Sequence, residues 1–125
     1  KMLYYMLAKL LETGHSCIAE STFKPKRQRE QELLNLQKKT QCQIMQVFCR
    51  AEKEVLGQRF SQRSQSQNRH PGHVDIGNIE SFIEELDRSP YEPLELGENL
   101  VVVDTTSFEE VDADSLCQRI ETYIR

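Results

Sequence analysis

The 125-residue chain is long enough for one domain with a buried core. Its hydrophobic content of 38% is low but still that of a globular protein. The net charge of −4 gives no reason to expect a general nucleic-acid-binding surface, and no apolar stretch is long enough to span a bilayer. The four cysteines form no CxxC pair, and three fall in apolar runs, where cysteine is usually buried. These features predict reduced thiols and a cytoplasmic location.

Helical periodicity opens the sequence. Apolar residues recur at helical spacing from Leu3 to Leu11, and Gly14 follows as a carboxyl-terminal cap would. In the next helical segment Pro25 suits a first turn. Four further helices are predicted over residues 23–39, 51–63, 75–86 and 112–124.

Three apolar runs predict β-strands, at residues 16–20, 43–49 and 100–104. The second is nearly continuous in its hydrophobicity, as a sheet buried on both faces requires, and the third is the most β-branched segment of the chain. Strands that are separated by helices indicate a parallel sheet with right-handed crossovers. The sequence therefore predicts a single α/β domain over residues 1–125.

Acidic residues end two of the predicted strands, at the edge where open parallel sheets bind their ligands. Glu20 ends the first strand, where an acid can hold magnesium through water or orient an attacking hydroxyl. The alternative is an ordinary strand-ending acid that caps the next turn. Asp104 ends the third strand and Thr105 follows it, and either residue could touch a base or a ribose or only complete a turn.

A basic segment lies directly before an acidic one. Residues 55–74 contain no acid, whereas the next forty residues contain thirteen acids and one arginine. Arg59 and Arg63 share a helix face, and Arg69 follows in the polar stretch 64–74, which is interpreted as a flexible lid loop. Converging guanidinium groups can clamp phosphate oxygens during phosphoryl transfer, and a solvated helix end is the alternative.

Other motifs are weaker. His70 and His73 flank a Pro-Gly turn, but no nearby cysteine or acid completes a zinc-like spacing, so a turn within the lid is favoured over a metal site. The basic run from Lys24 to Arg29 could attract the phosphate of an acceptor or form a solvated helix face. No GxxxxGK[ST] and no GxGxxG motif occurs in the sequence.

Four stretches together resemble one family. LLETGHSCIAESTF, CRAEKEVLGQRFSQR, RHPGH and LVVVDTTSFEEVD are similar, in this order, to the later two thirds of P-loop kinase-like proteins of the zeta-toxin and polynucleotide-kinase-like branch. The resemblance runs from about Leu10 to the carboxyl terminus. It implies a three-layer P-loop NTPase-like α/β fold with helices on both faces of the sheet, ATP and Mg2+ as cofactors, and an acceptor hydroxyl on a small molecule, a sugar nucleotide or a polynucleotide end.

The resemblance also implies a role for each candidate residue. Glu20 matches a catalytic acid near the magnesium and the γ-phosphate. Thr22 and Phe23 match the substrate-side turn, and Asp104 and Thr105 lie near the place where the family seats adenine. The residues that match the lid arginines, which approach the ATP phosphates and stabilise the transferring group, are Arg59, Arg63 and Arg69.

The printed sequence departs from the family at one point. The family's first strand, its phosphate-binding loop and its second strand precede the matching stretches, and the first strand lies between those that match residues 16–20 and 43–49. We therefore expect a domain that is incomplete at its amino terminus, because unpaired strand edges are unfavourable. The expected function is an ATP-dependent phosphotransferase if the full protein has the loop, and the alternative is a non-catalytic nucleotide- or protein-binding module.

Overall fold

The computed structural model describes residues 2–65 and 79–124, which form a mixed α/β structure. Helices make up most of this part of the chain, and two short strands form its sheet. The elements are α1 (Met2–Glu12), α2 (Lys26–Thr40), β1 (Gln46–Arg50), α3 (Lys53–Gln65), α4 (Ile79–Arg88), β2 (Leu100–Asp104), a short 3-10 helix (Phe108–Glu110) and α5 (Ala113–Ile124).

The two strands are neighbours in a parallel sheet. At their amino ends the backbone N–H of Gln46 donates to the carbonyl of Asn99 at 2.8 Å, and at their carboxyl ends Thr105 donates to Arg50 at 2.7 Å. The predicted strand 100–104 is confirmed at both ends. The predicted strand 43–49 begins later, at Gln46, where the hydrogen bonding to the neighbouring strand starts.

The prediction of a strand at residues 16–20 is wrong. The side chains alternate as a strand would require, since Cys17 and Ala19 pack against the core whereas Ile18 is 98% exposed. However, a strand is defined by a hydrogen-bonded neighbour, and none of the described backbone hydrogen bonds involves these residues. The alternating sequence pattern therefore predicts correctly which of these side chains face the core, but the segment does not pair with a strand.

The chain divides into two compact units. The first unit contains the residues up to Phe48, those from Glu92 to Val101 and those from Asp114 onward. Its core forms where α1 packs against α2. Gly14 follows α1 with a φ of 81°, a left-handed conformation that glycine adopts without strain, so the predicted carboxyl-terminal cap agrees with the backbone. The buried core residues of this unit are Leu7, Ala8, Leu33, Leu36 and Leu94.

The second unit contains Cys49–Tyr91 and Val102–Ala113, and its helices α3 and α4 pack against each other. Gly57 is buried in α3, where a Cβ atom would lie only 3.1 Å from Cδ1 of Ile83 in α4. Close by in sequence, the rings of Phe60 and Phe82 stack with their centroids 4.4 Å apart. The small residue in α3 thus permits a close approach of the two helices.

The cysteines are less buried than their apolar surroundings predict. Cys49 in β1 and Cys117 in α5 are exposed, and Cys17 and Cys42 are half-buried. All four are free thiols. Among residues 2–65 and 79–124, no helix is both long enough and apolar enough to traverse a membrane.

Candidate functional site

The carboxyl ends of β1 and β2 meet at one edge of the parallel sheet, and a charged residue ends each strand. Arg50 donates from Nε and Nη2 to Oδ2 of Asp104, at 3.0 and 2.8 Å. Both side chains are open to solvent, with 62% and 48% of their surface exposed. The ion pair therefore lies, open to solvent, at the edge of the sheet where an open α/β fold binds its ligands.

The turn after β2 is fixed by hydrogen bonds to both strands and to the start of α3. The second carboxylate oxygen of Asp104, Oδ1, accepts from the backbone N–H of Thr106 at 2.9 Å. The N–H and the hydroxyl of Thr105 both donate to the carbonyl of Arg50, at 2.7 and 2.9 Å. The hydroxyl oxygen of Thr106 accepts from the N–H of Glu52 at 3.0 Å.

Arg59 reaches this turn from α3 and is held there by two kinds of contact. Its Nη2 donates to the carbonyl oxygens of Thr105 and Thr106, at 2.6 and 3.2 Å. Its guanidinium carbon lies 4.0 Å from the ring centroid of Phe108, within the range of a cation–π interaction. The arginine is half-buried, whereas Phe108 remains 64% exposed.

The electrostatics keep Asp104 ionised. Hydrogen bonds from the side chain and the backbone N–H of Thr106, followed by the hydrogen bond from Arg50, lower the pKa of Asp104 to about 2. The pKa of Glu109 is also lowered, by its own backbone N–H, by the Ser107 hydroxyl and by the charge of Arg59. At neutral pH Asp104 therefore acts as a hydrogen-bond acceptor rather than as a general base.

The structure brings together three residues that the sequence predicts as nucleotide-binding. Arg59, Asp104 and Thr105 belong to one hydrogen-bonded cluster in the second unit. Arg63 is exposed near the end of α3, and its side chain has no partner among the described contacts. Arg69 and most of the predicted lid loop 64–74 lie outside the described residues, although residues 64 and 65 end α3.

The predicted catalytic acid and substrate-side turn belong to the first unit. Glu20 and Thr22 are exposed. Phe23 instead packs against the apolar core, with a φ of 49° that non-glycine residues rarely adopt. Its side chain thus has a structural role in the first unit, and the substrate-side role stays a prediction.

The site also contains residues that the sequence did not indicate, namely Arg50, Thr106 and Phe108. Arg50 and Asp104 each end a strand, but their pairing depends on the register of β1 against β2, which is a non-local property. The sequence does contain an indication for Phe108. An aromatic residue in a polar, acidic turn is not expected to belong to the core, so its ring is available to contact a ligand.

A cleft of about 570 Å³ in the first unit offers a second location, lined partly by Lys26 at the start of α2. Lys26 lies 3.2 Å from Glu92, 3.7 Å from Glu95 and 3.9 Å from Glu30, and its pKa is raised, chiefly by the hydrogen bond to Glu92. The nearby Arg29 pairs with Glu32. The basic helix start is therefore compensated by carboxylates, which favours the solvated face over a phosphate site.

A comparison with solved structures places this geometry in a known context. The chain is similar to a protein described as a "putative kinase" from Chloroflexus aurantiacus J-10-fl, with a TM-score of 0.80 and 29% sequence identity. The similarity covers 98% of this chain and 63% of that protein, so the chain spans less than two thirds of its neighbour's length. No family model and no curated protein matches the sequence. The chain therefore has a kinase-like α/β fold.

Proposed function

We propose that this chain is part of a P-loop kinase-like, ATP-dependent phosphotransferase with three layers, which transfers the γ-phosphoryl group of ATP to a hydroxyl group. The observation that carries this proposal is the similarity to the kinase-like structure over 98% of the chain at 29% identity. Fold alone does not define chemistry, so the local geometry has to fit the ligand as well.

The cluster around Arg59 suits a nucleotide. An arginine has five N–H donors, and Nη2 supplies the two that bind the turn, so three donors on Nε and Nη1 remain. These can bind phosphate oxygens, for which guanidinium geometry is well matched. The exposed ring of Phe108 offers an apolar surface on which a planar base can stack.

The charge of Arg59 acts on Glu109, whose pKa it helps to lower, but no direct ion pair within the described residues neutralises it. Its described bonds go to backbone carbonyls, and within the two described stretches of the chain it forms no ion pair with a carboxylate. Asp104, the acid in the same cluster, is bonded to Arg50 and Thr106. The cluster thus presents a fixed cation whose charge a phosphate group can compensate.

The other predicted residues complete the proposal. Glu20 would hold Mg2+, since one carboxylate together with water and phosphate oxygens is a common way to bind this ion. Within the described residues, no group of three or more His, Cys, Asp or Glu side chains that could hold a metal ion is present. When bound, Mg2+ neutralises charge on the phosphates. Arg63 and Arg69 would stabilise the transferring group, and Thr22 would lie on the acceptor side.

Thermal unfolding with Mg-ATP tests this function. A nucleotide that binds only the native state stabilises it by about 2.7 kcal/mol at one hundred times its dissociation constant, so the melting temperature should rise with Mg-ATP concentration. Glu20→Gln should lower turnover more than Mg-ATP binding, and Glu98→Gln, at another exposed position in the first unit, should change neither.

The outcomes separate three cases. Binding with phosphoryl transfer supports the phosphotransferase. Binding without transfer favours the alternative, a non-catalytic nucleotide-binding module. No shift of the melting temperature of the full-length protein at millimolar Mg-ATP would overturn the proposed function.

A further inference from the structure

The ion pair between Arg50 and Asp104 begins a chain of contacts that ends at Arg59. The Asp104 carboxylate uses one oxygen for Arg50 and the other for the N–H of Thr106. Thr105 donates twice to the carbonyl of Arg50. The two carbonyls that hold the Arg59 guanidinium belong to these same threonines.

The ion pair itself contributes little to stability, because exposed pairs in high dielectric are weak and are screened by salt. Its position suggests another role. A carboxylate that accepts from Thr106 fixes the orientation of the turn, and a guanidinium that binds the other carboxylate oxygen fixes that carboxylate. These bonds add to those that Thr105 and Thr106 form with the backbone of Arg50 and Glu52, and together they hold the two turn carbonyls toward Arg59.

We propose that Arg50 and Asp104 are a pair of positioning residues that hold the Thr105–Thr106 turn, and through its two carbonyl oxygens hold the guanidinium of Arg59 over Phe108. Arg50 also pairs with the negative charge of Asp104, and the Arg59 guanidinium is bonded to neutral carbonyls. The expected change in ATP binding rests on the proposed function, whereas the expected change in the position of the Arg59 guanidinium does not.

The first measurement reports on Arg59 without any ligand. We suggest following the solvent exchange of the Arg59 guanidinium protons by nitrogen-15 NMR in the whole protein. In Arg50→Gln and Asp104→Asn the exchange should become roughly tenfold faster, the size expected when one hydrogen bond to a charged group is lost. The double variant should show no further increase over Asp104→Asn, because the Arg50 side chain acts on the turn only through the Asp104 carboxylate.

A matched control exists in the same unit. Lys53 and Asp87 also form an exposed ion pair, between α3 and α4, which has no bond to the turn. Lys53→Gln and Asp87→Asn should leave the Arg59 exchange rate unchanged. If Arg50→Gln or Asp104→Asn fails to fold, Arg50→Lys and Asp104→Glu provide a second set of variants. These keep the charges but alter the geometry of the ion pair, so the exchange rate at Arg59 should lie between those of the unmodified protein and the first set.

The second measurement is the dissociation constant of Mg-ATP by calorimetry. Under the proposed function it should rise about tenfold in Arg50→Gln and in Asp104→Asn, and stay constant in the Lys53 and Asp87 variants. Unchanged exchange at Arg59 in the first two variants, or strictly additive effects in the double variant, would overturn the positioning role. Faster exchange in a protein that does not bind Mg-ATP at all would support the positioning role and overturn the proposed function.

Discussion

Gly57 lies in the middle of α3, where it faces Ile83 of α4, and its substitution tests how closely these helices are packed. Replacing glycine by alanine inside a helix normally stabilises by about 1 kcal/mol. Here the new Cβ would lie 3.1 Å from Cδ1 of Ile83, closer than an ordinary contact. Because that atom is the end of a flexible side chain, we expect the two effects to offset and Gly57→Ala to change the free energy of unfolding by less than about 0.5 kcal/mol.

Gly57→Val should destabilise by about 2 kcal/mol, because its additional methyl groups overfill a site where one methyl already presses on Ile83. The decisive variant is Ile83→Val, which removes the Cδ1 atom in question at a cost of about 1 kcal/mol. In that background Gly57→Ala should stabilise by about 1 kcal/mol.

Urea denaturation of the four proteins of this cycle gives the coupling energy directly. We expect a favourable coupling of about 1 kcal/mol between alanine at 57 and valine at 83. Additive effects of the two substitutions would show that Ile83 does not limit the space at Gly57 and would refute the packing described for the second unit.

Three further predictions concern charge, the site and the surface. Hydrogen bonds from Lys9 and Lys39 lower the pKa of Glu12 to about 2 in the folded protein, from about 4.5 in the unfolded chain. The ionised carboxylate therefore stabilises the fold fully above pH 4.5, and this stabilisation is lost as the pH falls toward 2. Glu12→Gln should therefore flatten the dependence of the urea midpoint on pH in this window, and identical profiles would contradict the assignment. Phe108→Ala should weaken Mg-ATP binding about tenfold while Phe108→Trp retains it, as calorimetry can measure, and equal affinities would argue against stacking. Ile18→Lys should change the free energy of unfolding by less than about 0.5 kcal/mol, because the side chain is 98% exposed, and a loss above about 1 kcal/mol would mean that another segment covers it.

The elements that local sequence determines were predicted well. The β-branched run at Leu100–Asp104 and the periodic helix at Met2–Glu12 lie where the pattern indicates. Residues 16–20 have an equally clear local pattern, yet they form no strand, because strand pairing depends on a neighbour that the pattern does not specify. Local periodicity thus predicts which side chains face the core but not which backbones pair.

The candidate site divides in the same way. Arg59 and Asp104 were predicted singly, from an acid-free segment and from a strand end. Their connection through the Thr105–Thr106 turn, and the contribution of Arg50 and Phe108, depend on the register of two strands that are 50 residues apart. A functional role for a strand-ending arginine becomes visible only when its neighbour across the sheet is known.

The most direct test of the central claim is the transfer of radiolabelled phosphate from γ-labelled Mg-ATP to hydroxyl-bearing acceptors. A panel of small alcohols, sugar nucleotides and polynucleotide 5′ ends covers the acceptor classes, and the proposal predicts labelled product for one class, reduced at least tenfold by Arg59→Gln. The claim would be contradicted if no acceptor of any class became labelled and the unmodified protein bound Mg-ATP no better than the Arg59→Gln variant.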